Sequence, residues 1–295
     1  MTILPKDGVP DDRLALYRIG RDYYYGNNVR ESPEEAFRWL SLAADKGHPE
    51  ANCLLGKMYA YGQGTEQSLE KAVEHLNRAV DLGLPQAKFE LGFLHHTGVG
   101  VEQSDERAAE YWSSAAADGH NESRFALALL YDCGSGVPMS RKKAFGLYLD
   151  AANSGIVQAK CKVGQMYEEG IGIEKSYPDA LRWLREAADE GYPRALFEIG
   201  WMTYFGLGCR QSEEEARRLV ELSLSRGVFE TLEREAMRSN PFSQLRMGWL
   251  YDLGWGVERS MLRAIAWYTG ARMMGLPMAN TMIERISCAL QETSE

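Results

Sequence analysis

Few residues in the sequence have the types and spacing that catalysis or metal binding requires. Six Gly-x-Gly segments could cradle a phosphate, but each lies between two predicted helices and none carries the Lys-Ser/Thr pair of a nucleotide-binding P-loop. His95 and His96 are adjacent, so on a helix their rings point about 100° apart and cannot easily share a metal ion. The sequence also lacks His-x-x-x-His and Cys-x-x-Cys pairs. We therefore predict no bound metal and no cofactor.

Signatures of covalent catalysis are missing as well. There is no Gly-x-Ser-x-Gly segment of the kind that presents a serine nucleophile. The acidic run Glu213–Glu215 falls in the first turn of a predicted helix, where carboxylates interact favourably with the helix dipole. The sequence predicts that the protein is not an enzyme. A hydrolase stays open as an alternative, because a nucleophile and its base can come from distant positions.

The composition is that of an ordinary globular protein, with 295 residues of which 45% are hydrophobic and 25% charged. The net charge is −9 and no stretch is rich in lysine or arginine, which argues against a nucleic-acid partner. No segment longer than 11 residues is free of charged side chains, which argues against a membrane-spanning helix. The first residues do not resemble a signal peptide, and five irregularly spaced cysteines do not form a disulfide framework. These features predict a cytoplasmic location.

The elements that position any functional residue come from an internal repeat. One alanine recurs every 36 residues and then once more after 48, and two glycines keep the same steps. We infer seven repeats with one 12-residue insertion between the sixth and the seventh. The alanines are Ala36, Ala72, Ala108, Ala144, Ala180, Ala216 and Ala264.

Each repeat has the pattern of two antiparallel helices. In the segment 51–86, apolar residues follow helical periodicity until Gly62, where a left-handed glycine is expected to end the first helix. Ser68 suits the N-cap of a second helix, which ends at Gly83. Gly56 lies in the middle of the first helix, where glycine costs about 1 kcal/mol relative to alanine, so we expect the two helices to approach closely there. Repeated seven times, such pairs form an all-α solenoid.

This pattern resembles the Sel1-like repeat, a relative of the tetratricopeptide repeat, over about residues 14–280. The resemblance implies a right-handed superhelix whose first helices line the concave side, and a role in protein–protein interaction. Cysteines occur singly in separate repeats, so the secreted branch of the family that has two cysteines per repeat is not supported. In the fifth repeat the residues that carry the resemblance are Ala159, Gly164, Tyr167, Gly170, Gly172, Ala180, Trp183, Ala187 and Gly191.

The predicted boundaries divide the chain into an N-terminal arm at residues 1–12 and a solenoid at 13–290. Repeats begin near residues 15, 51, 87, 123, 159, 195 and 243. The insertion spans 231–242, where either extra helical turns or a repeat eroded into a linker would fit, and Asn240 with Pro241 suits the start of the next helix. Residues 279–290 suit a C-terminal capping helix, with Leu290 among its core positions.

Four positions of the first helix are expected to face the groove, namely those equivalent to Cys53, Lys57, Ala60 and Tyr61. Two of these columns vary from charged residues to tryptophan, which is typical of a binding surface. Aromatic side chains are frequent among interface hot spots, so the C-terminal half of the groove is predicted to bind the partner. Alternatively, its aromatic residues fill gaps around the insertion. The predicted partner-binding residues are Trp201, Tyr204, Phe205, Trp249, Asp252, Glu168, Glu169, Asp132 and Phe93.

The leading functional hypothesis is an adaptor or scaffold that binds a partner protein or peptide in this groove. One alternative is an inhibitor or immunity-type protein that neutralises a toxin or enzyme by occluding it, and the hydrolase is the other. The predicted partner is thus a protein, which could be a toxin, an effector or an enzyme. No nucleic-acid or membrane partner is expected.

Overall fold

A computed structural model describes residues 11–292 of the chain, with side chains described from 11 to 288. Within this range the protein consists of sixteen helices and has no strand. Most of the predicted N-terminal arm at 1–12, and the side chain of Leu290, lie outside the described residues. The helices of the first four repeats are α1 (Arg13–Tyr25), α2 (Pro33–Asp45), α3 (Pro49–Tyr61), α4 (Leu69–Asp81), α5 (Pro85–Thr97), α6 (Asp105–Ala117), α7 (Asn121–Cys133) and α8 (Arg141–Asn153). The remaining helices are α9 (Val157–Glu169), α10 (Tyr177–Asp189), α11 (Pro193–Phe205), α12 (Glu213–Leu224), α13 (Val228–Met237), α14 (Pro241–Leu253), α15 (Met261–Met273) and α16 (Pro277–Glu292).

The helices form seven consecutive antiparallel pairs, and the predicted all-α solenoid repeat fold is confirmed. Contact clustering divides the chain into two compact units. Unit 1 extends to Ala159 and includes Ile171–Ile173, whereas unit 2 contains Lys160–Gly170 and the chain from Glu174 onward. Each unit is described by itself below.

The turn within each pair is fixed by local chemistry. Gly62 ends α3 with φ of 66°, a left-handed conformation that a residue with a Cβ adopts only with strain. The Oγ of Ser68 then accepts a hydrogen bond from the backbone N–H of Lys71 and caps α4. A serine occupies this N-cap position in all seven pairs, although the sequence pattern had indicated only Ser68. The capping serines are Ser32, Ser68, Ser104, Ser140, Ser176, Ser212 and Ser260.

The two helices of a pair approach each other at the mid-helix glycine, as the sequence predicts. A Cβ added at Gly56 would lie 2.6 Å from Cγ of Leu76 and 3.1 Å from the carbonyl oxygen of Ala72. Ala72 and Ala79 are fully buried beside this contact. Because real Cβ atoms do not come this close to other carbons, the glycine sets the distance between α3 and α4.

The insertion between the sixth and seventh repeats forms the additional helix α13. It begins at Val228, three residues before the predicted boundary, and buries Leu232 and Ala236 completely. The helical content expected for this segment is thus observed. Asn240 caps the following helix by accepting a hydrogen bond from the backbone N–H of Ser243 at 3.0 Å. Pro241 occupies the first helical turn, as predicted.

The last described helix, α16, packs against α15 and buries Ala279 and Ile286. Its proposed role as a cap of the solenoid stays a prediction. None of the helices in the described part of the chain is both long and apolar enough to cross a membrane.

Candidate functional site

In unit 1, one face of four successive first helices carries exposed apolar side chains. The face is defined by two positions four residues apart, equivalent to Lys57 and Tyr61, which share one side of a helix. Its exposed apolar members are Tyr25 (56% exposed), Tyr61 (49%), Phe93 (37%) and Leu129 (40%). We call this surface the unit 1 face. It consists of Arg21, Tyr25, Lys57, Tyr61, Phe93, Thr97, Leu129 and Cys133.

Contacts between neighbouring first helices bring these side chains to a common surface. The hydroxyl of Tyr24 in α1 donates to Gln63, in the turn that follows α3, at 3.1 Å. Between α3 and α5, Nζ of Lys57 lies 3.3 Å from a carboxylate oxygen of Glu90. Partial burial opposes the charged form of Lys57, but the charge of Glu90 and its hydrogen bond raise the pKa of the lysine. This ion pair therefore connects α3 and α5.

The α5–α7 part of the face has its own polar contacts. At the N-terminal ends of these two helices, away from the exposed side chains, Nε2 of His120 lies 2.6 Å from Oε1 of Gln86. Next to the face, Nδ1 of His96 lies 2.6 Å from a carboxylate oxygen of Asp105. Asp132 is half-buried beside Leu129, in the last turns of α7. The face thus combines exposed apolar side chains with charged side chains on it and beside it.

The equivalent positions in unit 2 are filled by the protein itself, which corrects one expectation from the sequence. Trp201 and Trp249, expected to be exposed anchors, are only 1% and 0% exposed. The two indole rings pack edge to face with centroids 5.1 Å apart. Tyr204 and Trp255 contact the ring of Trp249 at centroid distances of 5.2 and 5.1 Å. These rings form an aromatic core within unit 2.

Glu168 and Glu169 were expected to present negative charge in the groove, but they lie in a buried ionic cluster. Arg246 of α14 is its centre and contacts three carboxylates: Nη2 lies 2.6 Å from Glu168, Nη1 3.3 Å from Glu169 and Nε 2.7 Å from Glu198. Arg194 also contacts Glu198, at 2.7 Å. We call these five residues the Arg246 cluster. It connects α9, α11 and α14 within unit 2.

Sequence reasoning missed three of these five residues, namely Arg194, Glu198 and Arg246. Residue type gave no clear signal, because the position of Glu198 and Arg246 is charged in five of the seven repeats, including Arg18, which is exposed. That position was not among the four columns expected to face the groove.

The remaining predicted site residues are distributed between the two units. Asp252 is buried in unit 2 and forms an ion pair with Arg285 of α16. Tyr204 and Phe205 are half-buried at the edge of the aromatic core. In unit 1, Phe93 belongs to the unit 1 face and Asp132 lies beside it. Among the residues that the structure describes, no group of histidine, cysteine, aspartate or glutamate side chains is arranged to hold a metal ion.

The seven helix pairs, with their glycine-ended first helices and serine-capped second helices, define an all-α helical-repeat protein. The model of the Sel1 repeat matches residues 13–48, 49–84, 85–120, 121–156, 157–192, 193–228 and 241–276. The chain therefore belongs to the Sel1 repeat family, whose members typically mediate protein–protein interactions.

Solved structures of related proteins agree with this assignment. A Sel1 repeat protein from Oxalobacter formigenes is 30% identical with a TM-score of 0.68, over 73% of this chain and 89% of that chain. The c5321 protein, a protective antigen of uropathogenic Escherichia coli strains with an SLR fold, is 27% identical with a TM-score of 0.64. That match covers 94% of this chain but 57% of the E. coli protein, so the chain spans little more than half of its length.

Another solved structure is less similar to this chain. The immunity protein Pa5087 from Pseudomonas aeruginosa is 22% identical with a TM-score of 0.48, over 74% of this chain and 81% of that chain. A likeness at this level carries no argument about function. A comparison with curated proteins finds no match.

Proposed function

We propose that the protein is an interaction scaffold that binds a segment of a partner protein on the unit 1 face. The observation that supports this proposal is the repeated exposure of Tyr25, Tyr61, Phe93 and Leu129 on four successive first helices. Large apolar side chains that form a contiguous exposed patch mark interaction sites more often than single exposed ones do. The equivalent positions in unit 2 are occupied by the aromatic core and the Arg246 cluster. We therefore place the proposed site in the N-terminal half of the chain, whereas the sequence had indicated the C-terminal half.

The dimensions of the face fit a short segment of a partner. Adjacent packed helices are about 8–10 Å apart, so four first helices span roughly 25–30 Å. An extended peptide covers this length with about nine residues at 3.3 Å each. Tyrosine and phenylalanine provide large contact areas at low entropic cost, which favours affinity.

The charges at the two ends of the face suggest the orientation of the partner. Arg21 and Lys57 lie on α1 and α3, whereas Asp132 lies on α7. A segment with apolar side chains in its centre and a basic residue near α7 would complement this arrangement, whereas Arg21 and Lys57 are already paired with Asp22 and Glu90. Such charges act mainly on specificity and on the rate of association.

The test compares proteins captured from native lysate by the wild type and by Tyr61→Ala/Phe93→Ala. Leu82→Ala is the matched control, because Leu82 is also an exposed apolar residue (47%) but lies at the end of α4, outside the face. We expect at least one partner that the wild type and the control retain and the double variant loses. Each substitution at a hot spot of the face should weaken the binding of that partner by about 2 kcal/mol, or roughly 30-fold in Kd.

The proposal would be wrong if the folded double variant captured the same proteins with the same affinity as the wild type. If a partner is captured through the face, an assay of the partner's own activity distinguishes two roles. An adaptor leaves that activity unchanged, whereas an inhibitor or immunity-type protein abolishes it.

A further inference from the structure

The buried charges of the Arg246 cluster do not balance if every carboxyl group is ionised. Glu168, Glu169 and Glu198 would contribute three negative charges against the two positive charges of Arg194 and Arg246. The side chain of Glu198 is completely buried, and those of the other four residues are at most 11% exposed. An unbalanced charge in such an environment costs several kcal/mol, so proteins usually neutralise it by binding a proton.

The contacts of the three carboxyl groups differ, and Glu169 has the weakest. Glu198 accepts hydrogen bonds from Arg194, Arg246 and Gln165, each at 2.7 Å. Glu168 accepts from Arg246 at 2.6 Å and from the indole N–H of Trp201 at 3.1 Å. Glu169 accepts one hydrogen bond in the cluster, from Nη1 of Arg246 at 3.3 Å. The ionised form is therefore stabilised least at Glu169.

The charged groups described near the cluster in unit 2 do not restore the balance. On α13, Glu235 lies 3.2 Å from Arg194 and adds a further negative charge, although 40% of its side chain is exposed. On α9 itself Lys162 is half-buried, and Lys175 in the following loop is exposed. The two lysines are positive and favour ionisation of Glu169 and Glu168 respectively, but both are in contact with water, which screens their effect.

We propose that Glu169 is the proton-binding site of unit 2: the folded unit holds Glu169 as a neutral carboxylic acid and loosens when this proton is lost. With Glu169 neutral, Glu168 and Glu198 balance Arg194 and Arg246. Loss of the proton creates a third negative charge among α9, α11 and α14 that no arginine balances. The ionised Glu169 still attracts Arg246, but it repels Glu168 and has lost its contact with water, so α9 is expected to loosen at Glu169.

The direction of the titration agrees with the geometry. Burial raises the pKa of Glu169 from 4.5 to about 8, with Arg246 opposing the shift and Glu168 adding to it. Burial also raises the pKa of Glu168, but there Arg246 and the hydrogen bond from Trp201 both oppose the shift. Burial also pushes the pKa of Glu198 upward, but its two arginine partners outweigh this and lower it overall. Since the folded state holds the proton more tightly than the unfolded state, the stabilisation is complete below the unfolded pKa and is lost as the pH rises through the folded pKa.

The experiment measures urea unfolding of the full chain between pH 5.5 and 8.5 for the wild type, Glu169→Gln and Glu186→Gln. Gln mimics the neutral acid, so the wild type should lose about tenfold in its folding equilibrium constant per pH unit more than Glu169→Gln does. Glu186 is a partly exposed glutamate of the same unit that pairs with Lys160, and its variant should keep the wild-type pH dependence. An identical pH dependence in the wild type and Glu169→Gln would overturn the proposal.

A second measurement keeps the proposal testable if Glu169→Gln does not fold. The side-chain carboxyl carbon of Glu169 in the wild type can be followed by NMR as a function of pH. We expect a titration with a midpoint near 8, and a midpoint near 4.5 would refute the proposal. This inference does not depend on the proposed partner, because neither measurement includes one.

Discussion

Substitution of the mid-helix glycine Gly56 by alanine tests the packing that defines each helix pair. An added Cβ would lie 2.6 Å from Cγ of Leu76, whose almost completely buried side chain has little room to move, and 3.1 Å from the backbone oxygen of Ala72. Either α3 or α4 must therefore shift. Overpacking of this kind costs about 1–3 kcal/mol. The gain in helix propensity from glycine to alanine, about 1 kcal/mol, offsets part of that cost.

Gly146→Ala is the matched control, because it isolates the packing contribution. Gly146 also lies inside a helix of unit 1, α8, but a Cβ added there would meet no atom within 4 Å. Both variants gain the same helix propensity, so the difference in their free energies of unfolding reports the close contact alone. We expect Gly56→Ala to be about 1–3 kcal/mol less stable than Gly146→Ala. Gly164 makes equivalent contacts with Leu184 in unit 2, and Gly164→Leu should be more destabilising still because of its larger side chain.

Thermal and urea unfolding followed by circular dichroism at 222 nm measure this difference. A change of 1 kcal/mol corresponds to about 2–4 °C in Tm for a chain of this size class. Hydrogen exchange by mass spectrometry shows whether the loss of protection is confined to α3 and α4. If Gly56→Ala raised Tm as much as Gly146→Ala does, the glycine would not lie at a close helix contact and the packing argument would be refuted.

Two further predictions follow from the caps and the cysteines. Ser140→Ala should lower the free energy of unfolding by about 1 kcal/mol, because the backbone N–H of Lys143 loses its capping partner, whereas Ser140→Asp should restore most of it in the same urea titration. A thiol reagent such as DTNB should label exposed Cys133 and Cys288 in the native protein, but Cys53 and Cys161 only after denaturation, because burial raises the pKa of both buried thiols to about 12. Labelling of Cys161 at the rate of Cys133 under native conditions would show that α9 opens readily.

The sequence by itself determined the repeat, its two helices and their ends. Gly62, Ser68 and Gly56 act on atoms of their own repeat: the first allows a left-handed turn, the second caps a helix and the third lets two neighbouring helices approach. These effects extend over at most one helix pair, so they can be read from residue type and spacing. The same holds for Asn240 and Pro241, which open α14 after the insertion.

Tertiary structure alone decided which first-helix positions are exposed. Lys57 and Trp249 occupy equivalent positions, yet the first contributes to an open face and the second is completely buried. Trp249 is buried because rings from α11 and the loop after α14 surround it, and Glu169, whose side chain is 11% exposed, contacts Arg246 from 77 residues away. Burial depends on the sum of such distant neighbours, and the spacing within one repeat contains no information about them.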